Sequence, residues 1–284
     1  IYNNKFFTWL ETYKRCKRLA SALVMKGLSK GSTVGYLALN TPELYEGHFG
    51  VPMAGMVLNA MNYRLDAKTL AFIIDHSETK LLLTDLEFLL SAEQAVEMSK
   101  IRPEIIVIED KDAGFRNISK HVDYEAFVES GDPDYCELNL EDEWETISIN
   151  YTSGTTGNPK GVVYHYRGAY LNAIGNILEW DMDSHPTYLW TLPMFHCNGW
   201  CFPWTIAAKA GTNVCLRKVT AEAMYSSIAN YSVDYLCGAP IVLSMLADAS
   251  AEEKRLFSHT CKVMTAAAPP PAAVLEAMQE LGFK

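Results

Sequence analysis

The sequence predicts an α/β fold with mostly parallel sheets, and two observations carry that expectation. Short apolar runs alternate with capped segments of helical period along nearly the whole chain. The 284 residues, 49% apolar and 20% charged, also suffice for roughly two lobes with sizeable cores. With 17 Gly and 12 Pro near ordinary usage, fibrous, collagenous and low-complexity classes are excluded.

The elements follow in order. Thr8 and Glu11 form a capping box, so a helix begins there. Trp9, Tyr13, Leu19, Leu23 and Val24 recur at near-helical spacing, and Gly27 supplies a left-handed stop. The run Val34 to Leu39 reads as a strand, and Thr41-Pro42 as N-cap and first residue of the next helix. Helix near Ala67 to Asp75, strand Lys80 to Thr84, helix Leu86 to Ser99 and strand Glu104 to Ile108 continue the alternation. An acidic, loop-like stretch from Gly131 to Glu145 intervenes. Strand Thr146 to Tyr151, a second apolar run Gly161 to Tyr164 and helix Gly168 to Trp180 come next. Strands near Tyr188 to Leu192, Thr212 to Leu216, Val233 to Cys237 and Lys262 to Thr265 each lead into a helix. The boundary between lobes is expected near residue 140, giving 1–140 and 141–284.

The net charge of −10 is uneven: residues 1–150 carry 15 basic and 24 acidic groups, residues 151–284 carry 9 and 10. No basic face for nucleic acid results. Seven irregularly spaced cysteines suit a reducing compartment and read as thiols, so a cytoplasmic location is expected. The stretches Gly47 to Tyr63 and Ser184 to Ala208 lack charge, but the second holds three prolines, His196 and Asn198, so both are expected as core and no membrane span. A start at Ile1 and an end at Lys284 are expected to delimit a piece of a longer protein.

Chemistry concentrates in Tyr151-Thr152-Ser153-Gly154-Thr155-Thr156-Gly157-Asn158-Pro159-Lys160-Gly161. Hydroxyls and glycines here build a loop whose amides can turn toward an anion, and Lys160 adds a mobile positive charge for phosphate oxygens. It is not a Walker loop, since no Ser or Thr follows Gly-Lys and a strand follows the lysine. A plain hairpin loop with a solvated lysine is the competing reading. In Pro193-Met194-Phe195-His196-Cys197-Asn198-Gly199-Trp200, a histidine among aromatic rings can orient a carboxylate at an apolar slot; a hydrogen-bonded core histidine would show the same pattern. His196, Cys197 and Cys201 lack a fourth partner at zinc spacing, so no metal is assigned to them.

At the loop the sequence resembles the adenylate-forming (AMP-binding) superfamily, the acyl-CoA synthetases and their relatives, whose Thr-Ser-Gly-Thr-Thr-Gly-x-Pro-Lys-Gly signature it matches completely. The likeness extends over Thr8-Trp9 with Arg15, Arg18, Leu19 and Ala20, Asn40-Thr41-Pro42-Glu43, Gly50 to Gly55 and Asn62 to Leu65. It implies two stacked, layered α/β lobes, the large N-terminal domain of such enzymes without the C-terminal domain. It implies phosphate binding by Thr152, Ser153, Gly154, Thr155, Thr156, Gly157 and Lys160, and a catalytic His196. An acyl pocket of His196, Asn198, Gly199, Trp200, Gly238, Ala239 and Pro240 follows, with an adenine-contacting turn at Ala267, Ala268 and Pro269. There the family's Gly-Gly-Ala-Pro is Ala266-Ala267-Ala268-Pro269, and alanine narrows the backbone angles.

The implied reaction is ATP-dependent activation of a carboxylic acid through acyl-adenylate to acyl-CoA, with Mg2+ and coenzyme A, within fatty acid metabolism. The family's Tyr-Gly-x-Thr-Glu segment with its magnesium glutamate, the ribose-binding aspartate, the hinge and the adenylation lysine are not in this sequence. The resemblance therefore implies little ligase activity for the 284-residue piece alone. The runs at Tyr164 to Tyr170 and Met194 to Trp204 resemble the methylmercaptopropionate-CoA ligase and plant acyl-activating branch, which with bulky Trp200 and Trp204 implies a small acid. Transfer to a carrier-protein thiol or a luciferase-like fate, a non-catalytic nucleotide-binding fragment, assembly into a homo-oligomer and a C-terminal peroxisomal address all stay open at this point.

Overall fold

The computed structural model describes residues 1–114, 116, 119–136, 140–152, 157–266 and 268–284. The elements of the first sheet and its helices are α1 (Trp9–Met25), β1 (Thr33–Leu37), α2 (Pro42–Met53), β2 (Val57–Ala60), α3 (Ala67–His76), β3 (Thr79–Asp85), α4 (Leu89–Met98), β4 (Glu104–Ile108), β5 (Val122–Asp123), α5 (Tyr124–Glu129), β6 (Thr146–Tyr151) and β7 (Gly161–His165). Then come α6 (Tyr166–Glu179), β8 (Thr187–Trp190), a short turn α7 (Cys197–Trp200), α8 (Phe202–Ala208), β9 (Thr212–Cys215), α9 (Ala221–Tyr231), β10 (Tyr235–Gly238), α10 (Pro240–Ala247), β11 (Lys262–Thr265) and α11 (Ala272–Glu280). The strands form a seven-stranded sheet of order β5-β4-β3-β1-β2-β6-β7 and a four-stranded sheet of order β11-β10-β8-β9. The expected division near residue 140 falls between α5 and β6, while β6 and β7 join the seven-stranded sheet.

Period-two alternation explains the layers. In β1, β3 and β4, residues Val34, Tyr36, Leu81, Leu83, Ile106 and Ile108 face one core, while Leu37, Leu82, Ile105 and Val107 face another against α3 and α4. In the second sheet, Tyr188, Trp190, Tyr235 and Cys237 face the first core, whereas Leu189, Val214 and Leu236 pack under α9, α10 and α11. The sheets thus share one central core, which also takes in Leu19 and Leu23 of α1, Leu44 and Val51 of α2 and Phe202 of α8. Sheets buried on both faces need unbroken apolar strands, which is why these strands read as runs in the sequence.

Local chemistry matches many expectations. The Thr8–Glu11 capping box is formed, Gly27 ends α1 at φ +89°, and Pro42 opens α2 behind Thr41. The α1 stripe is shifted, however: Trp9, Tyr13 and Val24 lie at its exposed edge, and Cys16, Leu19, Ala20 and Leu23 form the buried face. Leu86 to Ser99 divides into a 3-10 turn, Leu86–Phe88, and α4. Strand β2 was not separable by pattern, because all four of its residues are buried within the uncharged stretch Gly47 to Tyr63. The two-residue β5 and the six-residue α5 are too short to show a period. Among the named strand pairs only β6 and β7 run antiparallel, since nine residues suffice for a hairpin but not for a parallel crossover. The seven cysteines are free, and among the described residues no helix is long and apolar enough to cross a membrane.

Two polar clamps join the sheets. Asn40, beyond β1, donates from Nδ2 to the carbonyls of Trp190 (3.0 Å) and Leu192 (2.9 Å) and accepts the amide of Met194 at Oδ1 (2.8 Å). Arg217, beyond β9, pairs with Asp85 at 2.7 Å, Glu87 at 2.9 Å and Asp110 at 3.1 Å, and Tyr2 donates to Asp110. Near the first clamp, His48 on α2 is fully buried, with Nδ1 against the Leu44 carbonyl at 2.8 Å and its ring edge-on to Trp204.

Burial pushes the His48 imidazole down from its usual 6.5 to about 4, so it folds in neutral. Between those values the unfolded chain binds a proton that the folded protein does not, so stability is full above about pH 6.5 and falls as pH drops toward 4. The loss amounts to roughly 3 kcal/mol over that window. We expect His48→Gln to flatten this acid limb relative to the native protein in urea unfolding between pH 7 and 4; parallel pH profiles would refute the assignment.

Candidate active site

The segments singled out by sequence all lie at the carboxyl ends of strands: 152–160 follows β6, 191–200 follows β8, Gly238 ends β10 with 239–240 after it, and 266–269 follows β11. In open α/β sheets that end is where ligands bind. Strands β8, β10 and β11 are parallel neighbours, so their exits lie side by side, and the Thr191 hydroxyl donates to the Cys237 carbonyl at 2.6 Å to tie two of them together.

The hairpin register pairs Tyr151 with Gly161. Its neck is closed by the Thr152 amide donating to the Lys160 carbonyl (3.0 Å) and the Lys160 amide donating to the Thr152 hydroxyl (3.2 Å). A hydroxyl that accepts still has its own proton to give, so Thr152 keeps a donor for an anionic oxygen. Thr152, Gly157 and Lys160 are exposed. Ser153, Gly154, Thr155 and Thr156, expected as phosphate ligands, lie outside the described residues. The Tyr151 hydroxyl meets His76 Nδ1 at 2.7 Å and anchors the base of the hairpin to α3.

After β8, His196 is exposed, so it is not the buried core histidine of the competing reading. Beyond it the backbone winds the wrong way. Cys197, Asn198, Gly199, Trp200 and Cys201 all have positive φ, from 42° to 65°. A left-handed turn costs roughly 1–2 kcal/mol per residue that bears a Cβ, and it persists only where its surroundings over-determine it. Here they do. The Asn198 amide donates to Asn150 Oδ1 (2.9 Å), the Ser148 hydroxyl to Asn198 Oδ1 (2.7 Å), and Asn176 Nδ2 of α6 to the Trp200 carbonyl (2.9 Å). Gly199 sits where a Cβ would come within 2.7 Å of the Trp190 ring.

Of the expected pocket residues, Asn198 and Gly199 are therefore buried and brace the wall, whereas His196 and half-buried Trp200 face outward beside it. Phe195 is buried edge-on to Tyr63, which stacks on Phe88. Gly238 is buried against Val242 at the foot of α10, with Ala239 exposed. Ala268 and Pro269 are exposed ahead of α11, and Ala267 lies outside the described residues. Sequence reasoning missed Ser148, Asn150, Asn176 and Asn40. One signal was available for the first pair: polar residues at alternate positions of a strand whose other face carries Ile147 and Ile149. A separate cleft of about 350 Å³ between α1, α2 and β9 contains none of these segments, and its lining includes no Lys or Arg to receive phosphate.

The model of the family described as AMP-binding enzyme matches residues 1–284. The chain is 47% identical over 297 aligned residues to an acetate/butyrate–CoA ligase (AAE7, peroxisomal) of Arabidopsis thaliana. It is 46% identical to an acetate–CoA ligase (CCL3) of Humulus lupulus and 45% to a peroxisomal trans-cinnamate:CoA ligase of Petunia hybrida. Each alignment covers 100% of this chain but 52% of the relative, so the chain spans about half the length of these proteins. Among solved structures, the anthranilate CoA ligase AuaEII with anthranoyl-AMP superposes at TM-score 0.82, with 19% identity over 99% of this chain and 54% of its own. The O-succinylbenzoate coenzyme A synthetase MenE of Bacillus subtilis, with ATP and magnesium, superposes at 0.79 with 22% identity over 100% and 54%. These two likenesses show the fold. Two of the three plant relatives are named peroxisomal, which overturns the cytoplasmic placement; compartments are set by short receptor-read signals that thiol state does not record.

The turn yields a test of its own geometry. Gly199→Ala adds a Cβ at φ +53° and at 2.7 Å from Trp190, so we expect a loss of about 2 kcal/mol or more in denaturant unfolding. A variant as stable as the native protein would mean that the left-handed turn is not formed.

Proposed function

Because the chain belongs to the AMP-binding enzyme family, we propose that it forms the nucleotide- and acid-binding part of an ATP-dependent acid–CoA ligase acting on a small carboxylic acid. The observation that carries this reading is that relatives at 45–47% identity over the whole chain are named acid–CoA ligases, with acids from acetate to cinnamate. Their names favour coenzyme A over another acceptor.

In the first half-reaction a carboxylate oxygen bonds to the α-phosphorus of ATP as the bond to the pyrophosphate oxygen breaks. In the second, the CoA thiolate attacks the acyl carbon and AMP leaves. Charge builds on phosphate oxygens, so the protein works mainly by positioning and electrostatics. The loop Thr152 to Gly157 and the Lys160 ammonium hold the β- and γ-phosphates, and the narrow neck keeps that loop at the end of β6. His196 aims the carboxylate, while Phe195 and Trp200 exclude water from the mixed anhydride. Backbone groups of Ala267, Ala268 and Pro269 meet the adenine. Mg2+ enters with ATP and offsets phosphate repulsion. Among the described residues no group of three His, Cys, Asp or Glu side chains is placed to hold it, so no ligand for it is assigned to this chain.

Lys160 closes the neck through its backbone, so Lys160→Ala removes only the ammonium. In the full-length gene product, carboxylate-dependent exchange of labelled pyrophosphate into ATP should fall by about 10²-fold in kcat/KM for ATP. Exchange unaffected by the substitution would remove the lysine from the site, and no carboxylate-dependent exchange in the native protein would overturn the function. With Trp200 and buried Phe195 beside the slot, turnover should favour propionate, butyrate or methylmercaptopropionate over palmitate. A preference for palmitate defeats the small-acid assignment.

A further inference from the structure

The two halves of the proposed site belong to different sheets, yet a chain of buried hydrogen bonds connects them. Ser148 and Asn150 project from the same face of β6, two positions apart, and are 0% and 5% exposed. Polar side chains on a buried strand face are costly unless partnered. Asn150 Nδ2 donates to Ser148 Oγ at 3.5 Å, and both side chains also bond to a single residue on the far side of the seam. Ser148 Oγ donates to Asn198 Oδ1 at 2.7 Å, Asn150 Oδ1 accepts the Asn198 amide at 2.9 Å, and Asn198 is itself 0% exposed. Asn150 is two residues from Thr152, whose amide and hydroxyl close the neck of the phosphate loop. Asn198 is two residues from His196 and lies inside the left-handed turn. Among the described residues, neither β6 side chain hydrogen-bonds to Thr152, Lys160 or His196, so both act on the site at one remove.

We propose that Ser148 and Asn150 are positioning residues that couple the polyphosphate loop to the acid-orienting turn, so that nucleotide and carboxylate bind synergistically. This rests on the function proposed above and extends it to regulation within the same site. A strained turn holds its shape only through what grips it, and two of its grips come from Ser148 and Asn150 of β6. Triphosphate seated in the hairpin immobilises the end of β6, which fixes Ser148 and Asn150, which in turn fix Asn198 and the adjoining His196. Carboxylate then meets a braced turn with less residual motion to lose, and by thermodynamic linkage the acid must tighten nucleotide binding by the same factor.

The test uses the full-length gene product with α,β-methylene-ATP, which cannot be cleaved at the α-phosphorus, and butyrate, titrated separately and together by calorimetry. In the native protein the analogue should tighten butyrate binding about fivefold or more. In Ser148→Ala that factor should fall to near one while the analogue alone still binds within about twofold of native, and Ser148→Thr, which keeps the hydroxyl, should restore it. A merely structural role would weaken both ligands alone and together alike. The proposal is overturned by an unchanged factor in Ser148→Ala, by equal weakening of each ligand alone, or by a native protein that binds both ligands without synergy. Should the alanine variant not fold, Ser148→Cys, of similar volume but a weak donor, is read by the same criteria. A native protein that binds neither ligand would instead refute the function itself.

Discussion

The carboxamide of Asn40 decides how the two sheets meet. Its nitrogen serves two carbonyls and its oxygen one amide of the segment leaving β8, all at 2.8–3.0 Å and away from water. Backbone groups buried at a sheet end have no strand partner left, and each left bare would cost about 1–3 kcal/mol. One side chain thus bonds three backbone groups at the end of β8 and at the same time sets the direction in which the chain departs toward His196. Everything downstream in the site, from the aromatic wall to the left-handed turn, inherits that direction. The Arg217 cluster performs a similar service further along the seam, with Asp85 and Asp110 drawn from the ends of β3 and β4.

Around this seam the molecule accepts local cost. Five successive residues of positive φ, a strand with hydroxyl and amide groups on a buried face, and a neutral histidine in the core would each be unfavourable in isolation. They are sustained because the shared core of Tyr36, Tyr188, Trp190, Phe202 and Tyr235 is large and closely joined across both sheets. Strain placed at a carboxyl-end crevice and supported from outside is the pattern expected where geometry serves ligands. Nearby Asn198 Nδ2, buried without a partner among the described residues, belongs to the same set of tolerated costs.

Legibility followed range. The Thr8–Glu11 box, Pro42 behind Thr41, β4 and β6 were readable because a cap or a strand is specified within a few residues. The loop expected to bind phosphate stood out through its composition of hydroxyls and glycines. His196 stood out beside aromatic residues, while its neighbours Asn198 and Gly199, expected to line the acyl pocket, are buried and brace the turn. An asparagine shows the same letter whether it lines a slot or braces one. Strand β2 was hidden because a fully buried stretch has no polar face to mark its period.

By itself, then, the sequence determined the alternating α/β character, the order and approximate bounds of the longer elements, and membership in a family through a contiguous signature. Only the tertiary structure decided the strand order, the antiparallel β6–β7 hairpin, the handedness of the turn after His196 and the contacts of Asn40 and Ser148 across 154 and 50 positions of chain. The physical reason is that propensity and patterning act over one or two turns of chain. A buried polar group takes its energy from a partner that folding alone brings near, and no local spacing records which partner that is.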